Sequence, residues 1–175
     1  MLNPKKGFTL IELLVVISII GILSSIILAG LQVSRTQAKN TARNSQVMEY
    51  AKALMLYKNQ SGIFPGNPLY FYCLGQYPGN LCGDNLTDNH ANDADGVKAA
   101  LNPYLPSFPQ ITPARSPSGT FTGALYVIQN AGLNATIIWN LDGKSATCAR
   151  PASTKDFFQT NNLGNDSTNC RVVLE

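Results

Sequence analysis

A chain of 175 residues has room for one domain and an appendage, and its composition, 45% apolar against 13% charged, is low in charge for a free soluble protein. The formal charge is +3; removing Lys5 and Lys6 from the 13 basic residues leaves 11 against 10 acidic, which excludes bulk nucleic-acid binding through charge. Four cysteines (Cys73, Cys82, Cys148 and Cys170) all lie beyond the apolar N-terminal stretch, and an even number there suits an oxidising compartment outside the cytoplasm.

The first element is an apolar run from Phe8 to Gln32 in which Glu12 is the sole charge. Leu13 to Leu31 is long enough, as a helix, to cross a hydrocarbon core of about 30 Å. A secretory signal peptide would have a shorter apolar region of about 7–15 residues ending at a small-residue cleavage site. Here the run passes into further helix. The segment is therefore expected to be retained, with Lys5 and Lys6 on the cytoplasmic side and the C-terminal bulk outside. Gly21, Ser18, Ser24 and Ser25 are small enough to let helices approach closely. A carboxylate in such a segment costs about 2.5–3.5 kcal/mol, so Glu12 requires a reason.

Lys5-Lys6-Gly7-Phe8-Thr9-Leu10-Ile11-Glu12 resembles the processing and methylation motif of type IV pilins and type II secretion pseudopilins. It has the short basic leader, Gly7 before the scissile bond, Phe8 after it, and Glu12 four residues further on. The resemblance implies a leader of residues 1–7, cleaved by a prepilin peptidase at the cytoplasmic face, and N-methylation of Phe8. Both acts belong to another enzyme, so this chain is the substrate. Cleavage creates an α-amino group at Phe8, charged at neutral pH. In a filament that amine can lie beside Glu12 of a neighbouring copy, and two isolated charges become one pair where water is scarce. The plainer alternative is a glutamate snorkelling at the helix end.

The helix is expected to continue through residues 8–58, with 8–31 as the transmembrane and assembly segment, for a length of about 75 Å at 1.5 Å per residue. Val47, Met48, Ala51, Leu54 and Met55 repeat at helical spacing and form a stripe that would bury against a globular part. Arg35, Lys39 and Arg43 recur every four residues as a basic ridge, read as a solvated face, with lipid head groups or acidic neighbours as the sharper alternative. Gly62 and Pro65 end the helix, and this ending also resembles that of the long helix in many pseudopilins.

Residues 66–96 are rich in Gly, Pro, Asn and Asp and read as a long ordered loop. Asp84, Asp88, Asp93 and Asp95 make part of it acidic, but Ala91 and Asn102 stand where an EF-hand would need acidic ligands, which favours a solvated loop over a calcium site. His90 with Cys73 and Cys82 fits no zinc module. A short helix at 96–101 and an extended, proline-fixed stretch at 102–109 follow; the latter resembles an element found ahead of the sheet in small pseudopilins. Strands are expected near 124–130, 135–141 and 170–175, with a hairpin between the first two, and Trp139 reads as core. Residues 144–169 read as polar loop. A bridge from Cys148 to Cys170 would pin the last strand, similar to the disulfide-bounded C-terminal region of type IV pilins. Four cysteines allow three pairings. Cys73–Cys82 with Cys148–Cys170 is favoured because neighbouring pairs close loops that lack hydrophobic support.

The expected fold class is thus α+β, a long N-terminal helix packed on a small antiparallel sheet in a head of residues 59–175. No catalytic constellation, metal site or cofactor motif is present in the sequence. The resemblance implies a structural subunit of a pilus or pseudopilus. Its partners would be copies of itself in a helical filament, the prepilin peptidase, an inner-membrane assembly platform and, before assembly, the lipid bilayer, with no nucleic acid. The alternative is a low-abundance minor pilin or a membrane-tethered module recognising a surface, DNA or a secreted protein.

Overall fold

The computed structural model describes residues 7–68, 71–75, 96–109, 111, 114–116, 119–121, 123–151, 157–162 and 167–175. The leader residues 1–6, Cys82, His90 and the acidic positions Asp84, Asp88, Asp93 and Asp95 lie outside the described residues. Two units are present, one up to Ala38 and one from Lys39 to Glu175. A single helix, α1 (Leu10–Ser61), contributes to both.

In the first unit, every described side chain from Phe8 to Leu31 is exposed, and this part of α1 is long and apolar enough to cross a membrane. Two of its serine hydroxyls bond back to the helix. Ser18 Oγ donates to Leu14 O and Ser25 Oγ to Ile22 O, each at 2.7 Å. Such back-bonding leaves no side-chain donor of these serines bare to hydrocarbon.

In the second unit, α1 turns a buried face of Val47, Tyr50, Ala51, Ala53 and Leu54 toward a five-stranded antiparallel sheet. The strands are β1 (Phe71–Leu74), β4 (Ala124–Gln129), β5 (Asn134–Asp142), β6 (Phe157–Asn162) and β7 (Ser167–Leu174), in the order β1-β4-β5-β7-β6. A short hairpin, β2 (Ala114–Ser116) with β3 (Gly119–Phe121), places β2 beside β5 and β7. A short helix, α2 (Val97–Leu101), adds Val97 and Leu101 to the core. The fold class is α+β.

Local chemistry accounts for the main turns. Gly62 closes α1 in the left-handed region (φ 84°), its N–H reaching Lys58 O at 2.7 Å, a conformation that a Cβ would oppose. The chain then returns under the sheet, where Phe64 N donates to Gly132 O (2.8 Å) at the β4–β5 connection. β5 and β7 carry the centre of the core, with Ala135, Ile137, Trp139, Leu141, Cys170, Val172 and Leu174 buried. Tyr126 is buried among them, its hydroxyl donating to Pro65 O at 3.0 Å.

Four features differ from the sequence reading. α1 begins at Leu10 and not Phe8, and runs to Ser61. Phe71–Leu74 is an edge strand inside a stretch read as loop, because Tyr72 and Leu74 alternate into the core. Residues 144–169 include all of β6 and the start of β7, which pair with each other, and β7 with β5, through their backbones. Arg43 does not belong to a solvated ridge but is buried.

Leu54→Ala should destabilise the head by about 2–5 kcal/mol, read by thermal unfolding of the detergent-held chain, while Leu23→Ala, on the exposed segment, should leave that transition unmoved. Burial, and after it the neighbouring Tyr72 and Tyr57, hold the Tyr126 phenol well above its ordinary value of 10.0. Folding therefore keeps this group neutral, and its contribution is intact below pH 10 and lost above it as the unfolded chain ionises. Unfolding followed from pH 8 to pH 11 should show an alkaline loss that is shallower in Tyr126→Phe.

Candidate assembly site and helix clamp

The N-terminus of α1 explains where the helix starts. Thr9 is its N-cap: Thr9 Oγ1 accepts from Glu12 N (3.3 Å), and Glu12 Oε2 accepts from both Thr9 N (2.8 Å) and Thr9 Oγ1 (2.7 Å). This is a capping box, a Thr-x-x-Glu pattern that satisfies otherwise orphaned donors at a helix start and puts a carboxylate at the positive end of the helix dipole. The signal was present in Thr9-Leu10-Ile11-Glu12, and the sequence reading passed over it. Glu12 is exposed, and both bonds fall on one oxygen, so Oε1 has no partner among the described residues. Gly7 and Phe8 precede the cap in non-helical chain, with Phe8 87% exposed, so the peptide bond between them is open to an enzyme.

Polar residues one helical turn apart fasten the second part of α1 to the end of β5. The Asn40 amide pairs with both backbone groups of Asp142, donating to its O (2.7 Å) and accepting from its N (3.0 Å), as an added strand would. Arg43 lies beside it with 2% of its side chain exposed, its Nη1 reaching Asp142 Oδ2 (3.0 Å) and Asn40 Oδ1 (2.8 Å). Asn44 donates to Thr147 O (2.8 Å) and accepts from Trp139 Nε1 (3.0 Å). A buried guanidinium is tolerated when such bonds surround it. Asp142 keeps part of its side chain in solvent, which softens the desolvation of the pair.

Cys148 bridges Cys170 on β7, closing a sequence separation of 22 residues. Confining a loop of that size in the unfolded chain is worth about 3 kcal/mol. Cys73, half-buried on β1, is also disulfide-bonded. Among the described residues, no group of three His, Cys, Asp or Glu side chains is placed to hold a metal ion.

Residues 2–28 match the model of the prokaryotic N-terminal methylation motif. The chain is similar to the type IV wide pilus major component PilA4 of Thermus thermophilus, 34% identical over 74 residues, which is 42% of this chain and 56% of that protein. It is also similar to the type II secretion system core protein G of Pseudomonas aeruginosa, 28% identical over 111 residues, or 63% of this chain and 76% of that protein. The match thus spans little more than half the length of PilA4. No solved structure matches the chain.

Arg43→Ala should lower head stability by about 2–4 kcal/mol, because it strands Asp142 and Asn40. Replacing both charges, Arg43→Met with Asp142→Leu, should recover much of that loss. Denaturant unfolding of the three chains side by side reads both effects.

Proposed function

We propose, for a chain that belongs to the type IV pilin and type II secretion pseudopilin family, the role of structural subunit in a filament, processed after Gly7 and polymerised through α1. One observation carries this reading: an apolar helical stretch in which every described side chain from Leu10 to Leu31 is exposed. Each Leu, Ile or Val left in water forgoes about 1.5–3 kcal/mol of burial, so the segment requires a bilayer first and other copies of itself afterwards. The chain acts as substrate of the peptidase and not as a catalyst, and its head lies outside the cytoplasmic membrane, where its disulfides form.

Glu12 supplies the assembly contact. In the lone subunit the capping box engages one carboxylate oxygen. After cleavage, the methylated amine of Phe8 on a neighbouring copy takes the other, and a charge that was costly in the membrane becomes half of a pair. The cost relieved on assembly is part of what drives it.

Gly7→Val should leave the leader attached, seen as an intact mass beginning at Met1 where the wild type begins at Phe8. Glu12→Val should still be cleaved and should enter the membrane more readily, yet filament yield should fall at least about ten-fold, since even 1.4 kcal/mol per contact is a factor of ten. Glu12→Asp, with its shorter reach, should fall between. Sheared filaments and membrane-held monomer, measured in parallel, give the comparison; a Val variant that assembles like wild type rules out the pairing.

A further inference from the structure

We propose that the Cys148–Cys170 bridge is a redox latch for α1: its closure holds in place the segment after β5 that receives Asn44 through Thr147 O, beside the Asp142 contacts of Asn40 and Arg43, so that reduction loosens the grip of the head on the helix. The receiving groups include the backbone and carboxylate of Asp142 at the end of β5, the indole N–H of Trp139 on the same strand, and the carbonyl of Thr147 in the segment that follows. From Gly143 to Arg150 this segment belongs to no helix or strand. Side chains help to hold it. Thr168 Oγ1 donates to Gly143 O (2.6 Å) and accepts from Ala146 N (3.2 Å), Asn44 holds Thr147 O, and the bridge fixes Cys148 immediately after it.

The far end of the bridge is rigid. Cys170 is fully buried on β7 and stands opposite Trp139 on β5, whose indole N–H is bonded to Asn44. One covalent bond therefore links the receiving segment to the strand pair on which Asn44 also rests. Two sulfurs released as thiols no longer fit at bonding distance in a packed interior, so the segment must shift, and Thr147 O shifts with it. Reduction by a dithiol balances simply. Its two thiols give up two electrons and two protons, Cys148 and Cys170 take them up as thiols, and the reductant closes to its own disulfide. Cys148 is only 6% exposed, so attack requires the segment to open, and the rate of reduction reports that opening. Coupling of this kind is reciprocal: what the bridge does for the helix contacts, they do for the bridge.

A use for the latch, withholding a firmly docked helix until the head has left a reducing compartment, rests on the filament reading; the latch itself is tested on the monomer. Hydrogen exchange is followed by mass spectrometry on the full chain in detergent, comparing the oxidised wild type with Cys148→Ala/Cys170→Ala, which leaves the disulfide of Cys73 untouched. Amides of α1 from 40 to 47 should exchange about ten-fold faster in the variant, while those of β4 and the first half of β5 change less than about two-fold. Unchanged exchange in α1 overturns the latch. So does an equal rise in α1 and the β4–β5 hairpin, which would make the bridge a general staple. In the reverse direction, Asn44→Ala with the bridge intact should speed its reduction by dithiothreitol about five-fold, followed by the mass of the Cys148 and Cys170 peptides, and an unaltered rate overturns the coupling. A chain that passes both tests yet never polymerises would refute the filament role and leave the latch standing.

Discussion

Between Leu10 and Leu31, the described side chains of α1 offer water an apolar surface with no polar face to turn outward. A lone amphipathic helix can fold its stripe onto a sheet, but an all-round apolar helix has no such solution within one small head. On the filament reading, its cover comes from lipid and then from other copies. The rest of the chain is arranged around that requirement. The hydroxyls of Ser18 and Ser25 bond back to their own helix, and the single charge is placed where a cap can hold it.

The other half of the same helix meets the opposite demand, because the head must hold it in one rotational setting. Hydrophobic burial of Val47, Tyr50, Ala51 and Leu54 supplies adhesion, but apolar contacts tolerate small slides along a helix axis. The polar bonds of Asn40, Arg43 and Asn44 do not, since each requires a particular partner at hydrogen-bond distance. A buried ion pair is a weak source of net stability, and its worth here lies in the settings it forbids.

How much of this could be read in the sequence divides along physical lines. The long helix was legible because its signals are local: an uncharged run, then an apolar stripe, then Gly62. The central strands were legible for the same reason, Ala124–Gln129 and Asn134–Asp142 being dense in β-branched and aromatic residues. Arg43 was misread because its spacing from Arg35 and Lys39 is a local pattern, whereas its partner Asp142 is 99 residues away. β6 carries the polar sequence Gln159-Thr160-Asn161-Asn162 and owes its existence to backbone pairing with β7, which no side-chain periodicity announces. The capping box is a different case. It was written in four consecutive residues and was hidden by a stronger expectation about Glu12, that a charge in an apolar run must be waiting for a partner on another chain.

Both roles of Glu12 can coexist, and their coexistence bears on how a subunit could leave the membrane. If the carboxylate were wholly committed to its own helix cap, pairing with a neighbour would first require breaking that cap and exposing the N–H of Thr9 in a place without water. If it were wholly free, the lone subunit would bear the full desolvation of a bare charge. The observed arrangement lies between these limits: Oε2 serves Thr9, and Oε1 has no partner among the described residues. A cation arriving at Oε1 adds to the existing bonds and does not compete with them. On the filament reading, assembly then adds a contact to a helix end that is already ordered, and the entropy of fixing the Glu12 side chain has been spent before the neighbour arrives.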